Sequence, residues 1–158
     1  MHPRIIEIVD NAAIQHKVLN HAELGSIRSA DDVANALGYC ITRIAKTLLL
    51  RATGESRFFL VVAPMNTKID FKKLAQQLGV KRLQLASKEE LDKQLGYPLF
   101  GVSPLGSQGI PVFMDSLLLE HDTILIGTGS SGQELELQPT KLQELTNATL
   151  IEAGAKNE

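Results

Sequence analysis

Apolar and polar positions change period several times along the chain, and each change marks an element. Ile5, Ile6, Val9, Ala12 and Ala13 recur at helical spacing behind Pro3, whose fixed φ suits a first turn. Residues 17–22 read as a short strand. Ser29-Ala-Asp-Asp32 has the chemistry of a helix start, with Ser29 as N-cap and Asp32 in the first turn, and Gly38 is the predicted stop. Residues 44–52 and 57–63 are strand-like, and Thr53-Gly54-Glu55-Ser56 between them is turn chemistry, so the two form a predicted hairpin. Phe71, Leu74, Ala75 and Leu78 share one face of a predicted helix over 70–78, closed by Gly79. Residues 82–86 read as a strand, and Ser87-Lys-Glu-Glu90 is a capping box opening a helix that ends at Gly96. After a long loop, 112–114 and 123–126 read as strands, and 133–137 alternates polar and apolar like a half-buried strand. Pro139-Thr140 starts a last helix to about 148, and 153–158 is an expected frayed tail.

The hairpin carries the first candidate for chemistry. Ile44, Lys46, Leu48 and Leu50 share one strand face; Ala45, Thr47, Leu49 and Arg51 share the other. An otherwise apolar face points at the core, where an unpaired ammonium costs several kcal/mol, roughly, unless an anion or polarised carbonyl meets it. The alternative is a lysine that snorkels to solvent along its aliphatic stem. The second candidate is the loop 96–111, in which Gly96, Gly101, Gly106 and Gly109 alternate with Pro98, Pro104 and Pro111. Glycines let backbone N–H groups approach a ligand, prolines stiffen the path, and such a loop can donate to a carbonyl or oxyanion. A packed turn with no ligand is the alternative. A third segment, Gly127-Thr-Gly129-Ser-Ser-Gly132, matches GxGxxG, but the pattern after it is a strand. A dinucleotide site needs a helix there, so a glycine-rich hairpin is predicted instead.

Composition removes several function classes. At 158 residues, 44% hydrophobic and 22% charged, the chain fits one globular α+β domain over 1–158. No apolar run spans a bilayer, and Met1-His-Pro-Arg lacks the start of a signal peptide, so a soluble cytoplasmic protein is expected. Cys40 is the single cysteine, which excludes an internal disulfide. His2, His16, His21 and His121 show no metal-ligand spacing, and neither a metal nor a cofactor is expected. Residues 41–93 hold 11 Lys/Arg against 5 Asp/Glu, a net of +6, while the remainder holds 5 against 13, a net of −8. A basic middle in an acidic frame points to an anionic ligand there, or to a solvated surface whose charges cluster. Aromatics are 4% with no tryptophan, which disfavours a stacking platform for single strands.

Ile44-Ala-Lys46-Thr-Leu-Leu-Leu50, Phe58-Phe-Leu-Val-Val-Ala63, Gly101-Val-Ser-Pro104-Leu-Gly106 and Ile124-Leu-Ile-Gly-Thr-Gly129 together resemble the YbaK/ProRS-associated editing domain family, in order and spacing, from about Ile5 to Ala148. The resemblance implies a mixed, partly closed β-sheet or barrel surrounded by helices. It implies hydrolysis of mischarged aminoacyl-tRNA, above all tRNA for proline carrying cysteine or alanine. The chain looks like the freestanding kind that acts in trans, with prolyl-tRNA synthetase a possible partner and neither membrane nor DNA expected. Lys46 is implied to contact the terminal adenosine or ester, and the backbone around Gly101 to hold the aminoacyl carbonyl, making these two the catalytic candidates. Thr47, Val102, Ser103, Pro104, Gly127, Thr128 and Gly129 are the implied substrate-binding set. Arg43, Arg51, Lys68, Lys72 and Lys73 are candidates for acceptor-stem phosphates. Some family members use a histidine late in the chain; here only His121 is available, just before a strand, which favours a member without that group. Two readings of other classes stand beside this one: a non-catalytic module that binds tRNA ends or a synthetase, and a hydrolase of small esters.

Overall fold

The computed structural model describes residues 1–21 and 30–154. Five helices, α1 (Pro3–Ala12), α2 (Ala30–Leu37), α3 (Phe71–Leu78), α4 (Lys88–Gln94) and α5 (Pro139–Thr146), alternate with eight strands. The strands are β1 (His16–Asn20), β2 (Ala45–Ala52), β3 (Phe58–Pro64), β4 (Leu83–Leu85), β5 (Val112–Asp115), β6 (Ile124–Gly127), β7 (Gln133–Leu137) and β8 (Thr149–Ile151). The expected starts and stops recur with their chemistry. Asp70 caps α3 and Gly79 ends it at φ 72°. Ser87 and Glu90 close both halves of the capping box on α4. Gly38 follows α2 at φ 72°, while the Ser29 cap expected for that helix lies outside the described residues.

One sheet has the order β4-β2-β3-β5-β8 and the other β1-β7-β6. Pairing is antiparallel except for β3 with β5 and β5 with β8, so the architecture is a mixed α+β one. Among the described residues the two sheets do not close into a barrel. The cause is the length of β2. Its Leu50 to Ala52 end pairs with β4, while its start touches β6 through the parallel bridge between Ile44 and Leu125. Two short strands thus share one long edge and part, leaving a fork beside Lys46 and Thr47.

Both faces of β2 are covered, whereas the sequence pattern assigns the core to one. On the odd face Ala45 and Leu49 join Leu60, Val62, Val112 and Met114 in the largest core, closed by Ile5 and Val9 of α1, Leu91 of α4 and Leu142 of α5. On the even face Leu50, Ala52, Phe59 and Val61 pack with Leu74 and Ala75 of α3. At the base of the fork, Val33 and Ala34 of α2 lie on Ile44 and Leu125.

Of the tail expected over 153–158, Ala153 and Gly154 lie within the described residues and are held by the fold. Ala153 is fully buried; its N–H donates to Asp115 Oδ2 at 3.1 Å and its carbonyl accepts from Asp70 N at 2.9 Å. Gly154 bridges to Ile69. β8 and this extension are too short for their alternation to register as a strand in the sequence. No helix among the described residues is long and apolar enough to cross a membrane.

Leu60 is fully buried between β2 and β5, so Leu60→Ala should cost about 2–5 kcal/mol in urea unfolding, as cavity-forming changes do. Asp115→Ala should cost about 1–3 kcal/mol by leaving the buried Ala153 N–H unpaired, and should bring early proteolysis of the C-terminal strand.

Candidate functional site at the sheet fork

The fork brings three residues into one row. Lys46 lies two positions beyond the Ile44–Leu125 bridge on β2, Gly127 lies two positions beyond it on β6, and Gly127 is paired with Glu134 of β7. Alternation places Ile44, Lys46, Leu125, Gly127, Glu134 and Leu19 on the same side. Paired strands are about 4.8 Å apart, so across two strand intervals, one of them widening at the fork, Lys46 and Glu134 are separated by roughly 10 Å of backbone or more, with a glycine between them.

Lys46 is half-buried. Its Nζ donates to Thr67 O at 2.5 Å, and no carboxylate among the described residues pairs with it. Burial holds its pKa below the usual lysine value. An ammonium has three donors, and the described residues supply one neutral acceptor.

The Gly/Pro loop is seated on the end of β6. Tyr97 is buried and its hydroxyl donates to Leu105 O at 2.7 Å. Arg4 of α1 donates to Gly106 O at 3.0 Å and to Leu95 O at 3.1 Å, and its guanidinium lies over the Tyr97 ring. Ser103 Oγ accepts from Leu105 N at 3.1 Å. Gly101 N donates to Pro98 O at 3.0 Å and Gly101 O accepts from Gly129 N at 2.7 Å. Both polar groups of Gly101 are therefore engaged by the fold. Its missing side chain matters as well: a Cβ would lie 2.8 Å from the Ser130 carbonyl carbon. At Gly127 a Cβ would fall on the Val102 carbonyl oxygen. Gly127 is thus a floor that lets the Val102 peptide descend onto the row.

The other residues singled out from the sequence divide by what they touch. Ser103 and Thr128 are fully buried; Thr128 Oγ1 donates to Ser130 O at 3.2 Å, and Pro104 is buried beside Ser103. These side chains shape the loop and turn. Gly129, at φ 78°, sits where a side chain would strike His2 and Tyr97. Thr47 points to the face opposite Lys46, and its buried Oγ1 has no hydrogen-bond partner among the described residues. Arg43 donates to Thr123 O at 3.1 Å, approaches Glu136 at 3.5 Å and lies over the Tyr39 ring. Arg51 pairs with Glu90 at 2.9 Å, and Lys73 with Glu152 at 3.5 Å. Of the five basic candidates, Lys68 and Lys72 are the exposed ones and have no ion pair among the described residues. His121 precedes the start of β6, at the end away from Gly127. A groove lined by Lys88, Asp92, Tyr97 and Leu99 contains none of the fork residues.

Glu134 and His21 complete the row and were not singled out from the sequence. His21 Nε2 lies 3.3 Å from Glu134 Oε1, with side chains 10% and 12% exposed. Burial pushes the Glu134 carboxyl up to about 8 and the His21 imidazole down. Alternation in 133–137 puts Glu134 and Glu136 on one face, which reads as a solvated face. Packing of Val33 and Ala34 against Leu125 encloses that side instead.

Comparison with known proteins identifies the family. Residues 25–145 match the family model described as "Aminoacyl-tRNA editing domain". The chain is 29% identical over 154 residues to EbsC of Enterococcus faecalis, a proposed Cys-tRNA(Pro)/Cys-tRNA(Cys) deacylase, covering 96% of this chain and 92% of that protein. It is 25% identical over 151 residues to the prolyl-tRNA editing protein ProX of Acetoanaerobium sticklandii, covering 91% and 89%. A crystal structure of a proposed trans-editing enzyme for prolyl tRNA synthetase superposes with a TM-score of 0.84 at 21% identity, covering 99% of both chains, which establishes the shared fold. With the match spanning both the lysine strand and the loop seated on Gly127, this chain belongs to the aminoacyl-tRNA editing domain family.

Proposed function

We propose that this protein is a trans-editing deacylase that hydrolyses the ester of mischarged aminoacyl-tRNA, with cysteinyl- and alanyl-tRNA for proline as the preferred substrates. The observation that carries the reading is the half-buried, carboxylate-free Lys46 beside a glycine floor on which a fixed backbone loop rests. An aminoacyl ester is already reactive, so positioning and carbonyl polarisation supply the needed rate without a serine or cysteine nucleophile. Lys46 uses its free donors on the terminal adenosine and ester region. Since both polar groups of Gly101 are engaged, the role of holding the aminoacyl carbonyl passes to the next peptide, with the Val102 N–H as donor. Gly101, Ser103, Pro104, Thr128 and Gly129 act by holding that peptide in place, and Gly127 by admitting it. Water attacks an alanyl ester, whereas a cysteinyl substrate brings its own thiol to the carbonyl. Lys68 and Lys72 meet acceptor-stem phosphates; the internal pairs of Arg43, Arg51 and Lys73 favour structural roles for those three. A tRNA substrate implies a cytoplasmic setting, and prolyl-tRNA synthetase is the partner whose errors such an enzyme would clear.

The deciding assay incubates the purified protein with a panel of mischarged tRNAs. Turnover of cysteinyl- or alanyl-tRNA for proline above the buffer rate is expected; saturable tRNA binding with no turnover anywhere on the panel would select the non-catalytic module instead. Lys46→Ala should lower the rate by about 100-fold, the size expected for removing one electrostatic contact to the reacting group. The acting form of Lys46 is charged, and burial lowers its pKa, so the enzyme-dependent rate should fall with rising pH before the usual lysine range is reached. After subtraction of spontaneous ester hydrolysis, that limb should be absent in Lys46→Ala. Gly127→Ala should abolish turnover while leaving the far-ultraviolet circular dichroism unchanged, because its methyl meets the Val102 carbonyl and not β6 itself.

A further inference from the structure

Two carboxylates stand on one face of β7, two residues apart, and the protein treats them differently. Glu136 accepts from the Tyr39 hydroxyl and lies 3.5 Å from the Arg43 guanidinium, so its charge is answered. Glu134 is nearer the loop, with its side chain 12% exposed, and among the described residues its one polar neighbour is the His21 imidazole at 3.3 Å. Burial without a cation is costly for a carboxylate. Burial also lowers the basicity of His21, so the imidazole is not poised to supply the missing charge. At the other end of the row Lys46 shows the converse deficit, a half-buried ammonium with no carboxylate partner among the described residues. The two do not pair with each other: Lys46 Nζ is engaged by Thr67 O and Glu134 Oε1 faces His21 Nε2. A ligand that brings a positive group to the Glu134 end and an electron-rich group to the Lys46 end would answer both.

An aminoacyl ester has this polarity, since its α-ammonium projects from the carbon next to the carbonyl, away from the ribose and phosphates. The geometry points to Glu134 as the residue that binds the α-amino group of the aminoacyl moiety, with His21 positioning its carboxyl. This inference rests on the editing reading and adds to it a requirement that the substrate carry a free α-amine. The ammonium takes the place of the proton that burial holds on Glu134, so binding releases a proton and leaves an ion pair in the enclosed end of the row. Free-amine substrates are then selected over N-blocked ones irrespective of the amino-acid side chain, because the contact is made to a group common to all aminoacyl esters.

The test uses a hydrolysis-resistant probe, adenosine carrying alanine through a 3′-amide, with its α-amine either free or N-acetylated. Calorimetry on the intact protein should show the free-amine probe binding at least tenfold more tightly than the acetylated one. Glu134→Gln, close in shape to the protonated acid, should bind the two within twofold of each other. In the wild type, the Glu134 carboxyl carbon-13 resonance should move to its ionised position on adding the free-amine probe and stay put with the acetylated one; this readout does not depend on the variant folding. Equal affinity for the two probes in the wild type, binding of neither, a preference that survives in Glu134→Gln, or a resonance that ignores the amine would each overturn the assignment. Turnover on the tRNA panel is measured separately. An enzyme that deacylates but does not discriminate between the probes keeps the editing function and loses this role for Glu134.

Discussion

The contact on which the site depends is between two pieces of backbone: the Val102 carbonyl resting on Cα of Gly127. No side chain fits between them, so the loop and β6 must approach as bare peptide. Everything that keeps the loop in place acts from behind that contact. Arg4 reaches from α1 to two loop carbonyls and the Tyr97 ring, and Gly129 N anchors Gly101 O. A loop held this way has little conformational freedom left to lose when a substrate binds, which is the condition for catalysis by positioning.

The sheet fork supplies the other half of the arrangement. β2 is longer than either strand that shares its outer edge, so β4 and β6 divide it and separate. The gap opens at Lys46 and Thr47, where an unbroken sheet would have placed a further strand. Lys46 and Glu134 are thereby set on strands and not on a loop. Each end of the row buries an incompletely answered ionisable group. Such groups weaken the fold locally and are explained by a ligand of matching polarity.

Much of the fold was legible in the sequence because its elements carry local chemistry. The capping box at Ser87, the Asp70 cap and the stop at Gly79 are written in a few adjacent residues and recur in the structure. β8 escaped because three residues cannot display a period. The burial of Ala153 is not legible locally because it is decided by Asp115 and Asp70, which lie far off in sequence. The division of the strands into two unclosed sheets also lay beyond local pattern, since it follows from which neighbour reaches each part of β2.

For the site, the sequence by itself determined the parts whose oddity is local. A lysine among leucines and valines, a run of glycines and prolines and a glycine-rich turn stand out wherever they fold. Tertiary structure decided what those parts touch. It engaged Gly101 at both polar groups and drew Arg43, Arg51 and Lys73 into internal pairs, while leaving Lys68 and Lys72 free of ion pairs among the described residues. It also enclosed Glu134, which alternation alone assigns to solvent. The reason is that periodicity reports which side of a strand a residue occupies. Only the packing of other elements decides whether that side meets water, a partner charge or a space shaped for a ligand.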